Sequence, residues 1–126
     1  MESVLVVDDE ANIRAFVERV LGDAGYETVS APGGAEALAS AASRTFDVVV
    51  TDVRMPGMSG PQLIDSLRRA DRDVKVLYLT GYNDQLFNEK SMLWADEAFL
   101  DKPCTVKGLL EAVSLLVRGH LPEGRA

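Results

Sequence analysis

Five short apolar runs, at 4–7, 28–30, 47–51, 74–79 and 98–100, alternate along this chain with longer stretches of helical spacing. Ile13, Phe16, Val17, Val20 and Leu21 recur at i, i+3, i+4, i+7 and i+8, which is one face of a helix. Val106, Leu109, Leu110, Val113, Leu116 and Val117 repeat the pattern near the C-terminus. Leu63, Ile64 and Leu67 form a shorter stripe, opened by Ser59 and Gln62 at capping-box spacing. Leu38 lies in an alanine-rich segment, and 83–93 reads as a further helix with a less regular stripe. Strand and helix thus alternate five times, which predicts an α/β protein with a parallel sheet between helical layers. The run VVV at 48–50 has no polar alternation, as expected of a central strand covered on both faces.

With 126 residues, 47% of them hydrophobic, the chain can form one domain with a real core, and large multidomain enzymes are excluded. There are 13 Lys and Arg against 20 Asp and Glu, a net charge of −7, which disfavours binding to nucleic acid or anionic membrane by charge. Cys104 is the one cysteine and His120 the one histidine, so zinc sites and Ser-His-Asp or Cys-His catalysis are not expected. The apolar run at 4–7 is too short for a signal peptide, and no stretch approaches the ~20 apolar residues of a membrane span. A cytoplasmic protein is therefore expected.

In open parallel sheets, ligands bind beyond the carboxyl ends of the strands. Here the first run ends in Asp8 and Asp9, the third in Asp52, the fourth in Thr80, and the fifth in Asp101, Lys102 and Pro103. Converging carboxylates repel one another, and a hard divalent cation relieves them. Mg²⁺, which takes carboxylate, water and phosphate oxygens, suits this set. A carboxylate beside the metal can act as a nucleophile toward phosphorus. Lys102 would help to neutralise a phosphoryl group, and Thr80 could donate a hydrogen bond to it. Singly, each residue has a structural explanation. Asp8 or Asp9 could cap the first helix, Asp52 could begin the turn at Pro56-Gly57, and Thr80 could cap a helix after Gly81. Lys102 could be solvated, and Pro103 could be a trans proline opening the last helix. The argument rests on their joint placement at successive strand ends.

The segments VLVVDDE, VVVTDVRMPGMSG, VLYLTGY and AFLDKP together resemble the receiver domains of two-component response regulators, from about Val4 to Val117. The resemblance implies a three-layer, flavodoxin-like (βα)5 fold with a five-stranded parallel sheet of order 2-1-3-4-5 and helices on both faces. It implies a receiver domain over 1–118; the segment GHLPEGRA over 119–126 reads on its own sequence as a frayed tail. By the same resemblance, Asp52 is the phosphoryl acceptor, and Asp8, Asp9, Asp52 and the backbone carbonyl of Arg54 hold Mg²⁺. Thr80, Lys102 and Phe99 are the switch and phosphoryl-contacting residues, and Lys102-Pro103 is a cis peptide. The implied partner is a sensor histidine kinase or a histidine phosphotransfer domain. The implied switch surface is the face formed by the fourth helix, fifth strand and fifth helix. A phosphorylation-dependent dimer is compatible with this pattern. Self-phosphorylation and autodephosphorylation are implied, but no turnover of an external substrate, and no direct contact with nucleic acid or membrane.

Several positions depart from the commonest pattern. Phe99 lacks a tyrosine hydroxyl, so any switching there is by packing. Cys104 follows Lys-Pro where Phe is frequent and reads as a small hydrophobe rather than a redox sensor. Trp94 stands where Gly is common, and Tyr82 sits where it could gate the site. The wording TGY and LDKP is similar to receivers of hybrid sensor kinases or free-standing ones. Two other classes compete. Small aspartyl-phosphate phosphatases usually carry Asp-x-Asp after the first strand, whereas Asp8 and Asp9 are adjacent here. A phosphorylation-independent interaction module would not need all five polar residues.

Overall fold

The computed structural model describes residues 2–71, 73–81 and 96–119. The elements are β1 (Ser3–Val7), α1 (Ala11–Asp23), β2 (Glu27–Ala31), α2 (Gly34–Ser43), β3 (Val48–Asp52), α3 (Gly60–Ala70), β4 (Lys75–Thr80), β5 (Glu97–Asp101) and α4 (Val106–Arg118). The helix expected over 83–93, Tyr82, Trp94, His120 and the tail after Gly119 lie outside the described residues. All strand pairs are parallel, in the order β2-β1-β3-β4-β5. This is the flavodoxin-like order expected above.

Period-two alternation along the strands divides the core into two layers. Val4, Val6, Val48, Val50, Leu77 and Leu79 face one way and pack with Val17 and Leu21 of α1 and Leu109, Val113 and Leu116 of α4. Leu5, Val7, Val49, Val76 and Tyr78 face the other way, against Ala37 of α2 and Leu63, Ile64 and Leu67 of α3. Because β1 and β3 are buried throughout, their sequences read as unbroken apolar runs. β2 lies at the sheet edge and is buried only at Ala31, which explains its weaker signal.

Local chemistry fixes the helix ends. Ser59 Oγ accepts from the Gln62 N–H at 3.2 Å, and Gln62 Oε1 accepts from the Ser59 N–H at 2.9 Å, completing the capping box of α3. Thr105 Oγ1 accepts from the Gly108 N–H at 2.9 Å and so starts α4. Such caps typically contribute about 1 kcal/mol each. Gly119, expected in the tail, is instead the C-cap of α4, at φ 76° with its N–H on the Leu115 carbonyl.

The strand limits differ modestly from the runs read in the sequence. β3 begins after Asp47, whose carboxylate accepts the Ser3 N–H at 2.8 Å, and extends through Asp52. β5 extends to Glu97, whose side chain is fully buried and paired with Arg68 Nη1 of α3 at 2.6 Å. That partner lets a carboxylate stand inside a strand. Val106, counted with the last helical stripe, is 52% exposed; it occupies the first position of α4 and lines the groove between α1 and α4 with Phe16, Val20 and Leu110. No helix among the described residues is long and apolar enough to cross a membrane.

Candidate functional site

Val7 pairs with Thr51 across β1 and β3, so the residues that follow them, Asp8 and Asp52, emerge side by side. Asp8 is wholly buried, Asp52 is 5% exposed, and Asp9 is exposed. One carboxylate oxygen from each of the three lies within 4.8 Å of the others. Lys102, immediately after β5, reaches across β4 to this cluster. Its Nζ is 3.1 Å from Asp8 Oδ2 and 3.2 Å from Asp52 Oδ1. The Lys102 N–H donates to the Thr80 carbonyl at 2.8 Å, and the Lys102-Pro103 peptide is cis.

The backbone around the acids is held tightly. The Asp8 N–H donates to the Ala31 carbonyl at 3.3 Å. Arg14 Nη1 of α1 donates to the Asp8 carbonyl at 2.7 Å. Asp8 Oδ1 accepts the Glu10 N–H at 2.9 Å, but the N-cap of α1 is Glu10, with no side-chain cap bond. Asp8 and Asp9 are therefore not that helix's cap. On the β3 side, the Gly60 N–H donates to the Val53 carbonyl at 2.8 Å. A Cβ on Gly60 would collide with the Asp52 carbonyl oxygen, so glycine is what allows α3 to begin so close to the end of β3.

Electrostatically, the cluster lacks positive charge. Three carboxylates and one ammonium leave a formal deficit of two. Burial pushes the Asp8 carboxyl above its ordinary range; the Glu10 N–H and the Lys102 ammonium oppose this, and Asp9 adds to it. Burial alone would lower the Lys102 ammonium, but Asp52 and Asp8 outweigh it and hold it above its ordinary value. Asp8 Oδ2 is buried and, beyond its ion pair with Lys102, has no well-aligned hydrogen bond. An oxygen-only donor set with an unmet demand for positive charge fits a hard divalent cation such as Mg²⁺ and suits soft metals poorly.

The remaining expected residues lie on β4, on β5 and in the segments that follow β3 and β5. Thr80 is 8% exposed, and its hydroxyl donates to Asp101 Oδ1 at 2.8 Å, toward β5. Phe99 is 47% exposed on β5. Arg54 is exposed two residues beyond Asp52. Pro103 does not open the last helix, because Thr105 caps it. Cys104 is half-buried against the α1/α4 core layer, and burial pushes its thiol up, away from the reactive thiolate.

Two contributors, Arg14 and Gly60, have no role in the sequence reading, and a third, Asp101, is placed there without its partner. Arg14 carried a faint signal, since a cation in the early turns of a helix opposes the macrodipole unless an acceptor lies near. Gly60 could be read only as part of a helix start. Asp101 was seen at the rim, but its partnership with Thr80 depends on side-chain orientation.

Comparison with known proteins extends these observations. Residues 4–114 match the response regulator receiver domain family. The chain is 35% identical over 115 residues to the transcriptional regulatory protein PrrA of Mycobacterium tuberculosis, covering 91% of this chain and 49% of PrrA. It is 30% identical over 113 residues to the sporulation initiation phosphotransferase F of Bacillus subtilis, covering 89% of this chain and 90% of that protein. The crystal structure of the response regulator protein TrrA from Thermotoga maritima, in complex with Mg(2+)-BeF, matches with a TM-score of 0.78 at 36% identity, over 92% of this chain and 99% of that one. The chain spans about half the length of PrrA, so what the rest of such a regulator does is not carried over. With the fold, the acidic pocket and these matches in agreement, the chain belongs to the response regulator receiver domains.

Proposed function

We propose that Asp52 accepts a phosphoryl group from a phosphohistidine on a sensor histidine kinase or histidine phosphotransfer domain. A carboxylate oxygen of Asp52 forms a bond to phosphorus as the P–N bond breaks, and the departing imidazole nitrogen takes up a proton. The observation that carries this reading is the nearly buried Asp52 carboxylate, held 3.2 Å from Lys102 Nζ beside two further acids. Lys102 holds Asp52 in place and faces the charge that develops on the phosphoryl oxygens. Asp8, Asp9, Asp52 and the carbonyl of Arg54 would hold Mg²⁺. When bound, the metal would offset negative charge on the carboxylates and the phosphoryl group.

Residues 1–118 form the receiver unit in this reading, and its location is cytoplasmic. Receiver domains act in signalling rather than as turnover enzymes. Here phosphorylation and autodephosphorylation would be the only chemistry. Phosphorylation draws the Thr80 hydroxyl toward Asp52, and Phe99 repacks on β5. That is a local charge change read out through an element with two arrangements. The face around β5 and α4 then alters for a downstream partner or a second copy.

The test is to incubate the protein with Mg²⁺ and acetyl phosphate and record intact mass. One phosphoryl adduct is expected, lost in Asp52→Ala and in the presence of EDTA. An adduct undiminished in Asp52→Ala would place the chemistry elsewhere. Sustained hydrolysis of a phosphate ester would favour a phosphatase.

A further inference from the structure

Thr80 and Asp101 face each other across the β4–β5 pair, in register, at the rim of the acidic pocket. The Thr80 hydroxyl donates to Asp101 Oδ1 at 2.8 Å, a charge-assisted bond in a largely buried setting on the Thr80 side. A threonine hydroxyl carries one proton and can donate to only one acceptor at a time. The backbone on either side of this pair is fixed: Tyr78 pairs with Phe99, Leu79 with Leu100, and the Lys102 N–H is bonded to the Thr80 carbonyl. Moving the hydroxyl toward Asp52 therefore requires side-chain rotation and the loss of the bond to Asp101.

We infer that Asp101 is a positioning residue that holds Thr80 away from Asp52 and competes with the phosphoryl group for its hydroxyl. The inference rests on the reading of Asp52 as phosphoacceptor. Asp101 is exposed, and its carboxylate accepts the Thr80 hydroxyl, the route by which it would act. The carboxylate thus sets how far the unphosphorylated domain is biased against its switched arrangement. A ligand that needs the Thr80 hydroxyl binds more weakly by the fraction of molecules in which that hydroxyl is engaged.

The experiment is a double-mutant cycle with Asp101→Ala, Thr80→Val and their combination. Two quantities are measured in Mg²⁺: affinity for beryllofluoride, a phosphoryl mimic, and the rate of phosphorylation by acetyl phosphate. Asp101→Ala is expected to improve both by about fivefold in the presence of Thr80, the worth of one competing hydrogen bond. In the Thr80→Val background the same substitution should change either by less than about twofold, the residue of an exposed charge. Asp101→Asn, which keeps a neutral acceptor in the same shape, should fall between. Equal gains in both backgrounds would mean that Asp101 acts only through its charge, and the inference fails. No gain from Asp101→Ala, with phosphorylation of Asp52 intact, also overturns it. Failure of the unsubstituted protein to accept a phosphoryl group at all removes the acceptor reading itself, and the inference with it.

Discussion

Lys102→Met is the substitution that most directly probes the charge balance of the pocket. Methionine roughly preserves the length and apolar stem of lysine and removes the ammonium. That ammonium lies 3.1 Å from Asp8 Oδ2 and 3.2 Å from Asp52 Oδ1, with side-chain exposures of 16%, 0% and 7%. At an effective dielectric near 20, each such pair is worth about 5 kcal/mol before desolvation. Burial opposes both partners: it outweighs the pair at Asp8, whose carboxyl is pushed up, but not at Lys102, which is held above its ordinary value. Removing one partner of a buried pair leaves the other uncompensated and typically costs 3–5 kcal/mol. We expect a loss of about 3 kcal/mol in metal-free buffer at neutral pH, set against a total stability of roughly 5–15 kcal/mol for a domain of this kind. Mg²⁺ should then reverse part of the loss. Without the lysine, the three carboxylates keep a deficit of three rather than two, and the divalent cation no longer competes with an ammonium for Asp8 and Asp52. Its affinity should rise at least about tenfold, which is ~1.4 kcal/mol, and binding to the native state alone converts affinity into stability. The assay is urea unfolding of both proteins in EDTA and in saturating Mg²⁺. Equal midpoints in EDTA would refute the argument. So would a Mg²⁺-induced gain no larger in Lys102→Met than in the unsubstituted protein.

Other expectations follow from the same geometry. Asp8 binds its proton more tightly in the folded than in the unfolded chain, because burial outweighs Glu10 and Lys102. Its contribution to metal-free stability therefore improves as pH falls through the raised folded value and levels off below the ordinary carboxylate value, near 3.9. Asp8→Asn should accordingly be more stable than the parent at neutral pH in EDTA, by an amount that shrinks on acidification; urea titrations across that range would show it, and a constant or growing difference would contradict it. Lys102 behaves oppositely: its raised value makes its stabilisation complete below about 10.5 and lost as pH rises through the folded value. Gly60→Ala should cost roughly 1–3 kcal/mol, because the added methyl meets the Asp52 carbonyl; it should also weaken Mg²⁺ binding measured by calorimetry. Arg14→Ala removes the bond to the Asp8 carbonyl and should weaken Mg²⁺ binding severalfold, with a stability loss near 1 kcal/mol.

The sequence was most legible where polarity changed abruptly. Asp8, Asp9, Asp52 and Lys102 each lie at the end of an apolar run, so the strand-end rule places them on one edge of the sheet. The capping box at Ser59 and Gln62 was equally plain, because cap chemistry is local. Contacts that depend on distant partners were harder. The run at 98–100 leaves out Glu97, a charged residue whose cation, Arg68, stands 29 residues away. Gly119 read as tail because its left-handed backbone is a conformational fact that composition does not express. The bond from Thr80 to Asp101 depends on one rotamer, and the collision that excludes a side chain at Gly60 depends on the approach of two segments in space.

The pairing of Val7 with Thr51 has a further consequence. Side chains alternate between the faces of a sheet, so sliding β1 past β3 by one residue would turn Leu5 and Val7 out of their layer. The same slip would separate the carboxylates that follow these strands. A misaligned molecule would lose its packing and its affinity for a divalent cation together. In the proposed reading, metal binding would therefore serve as an assembly check: the molecules to capture the ion would be those in which β1 and β3 have met in the proper alignment.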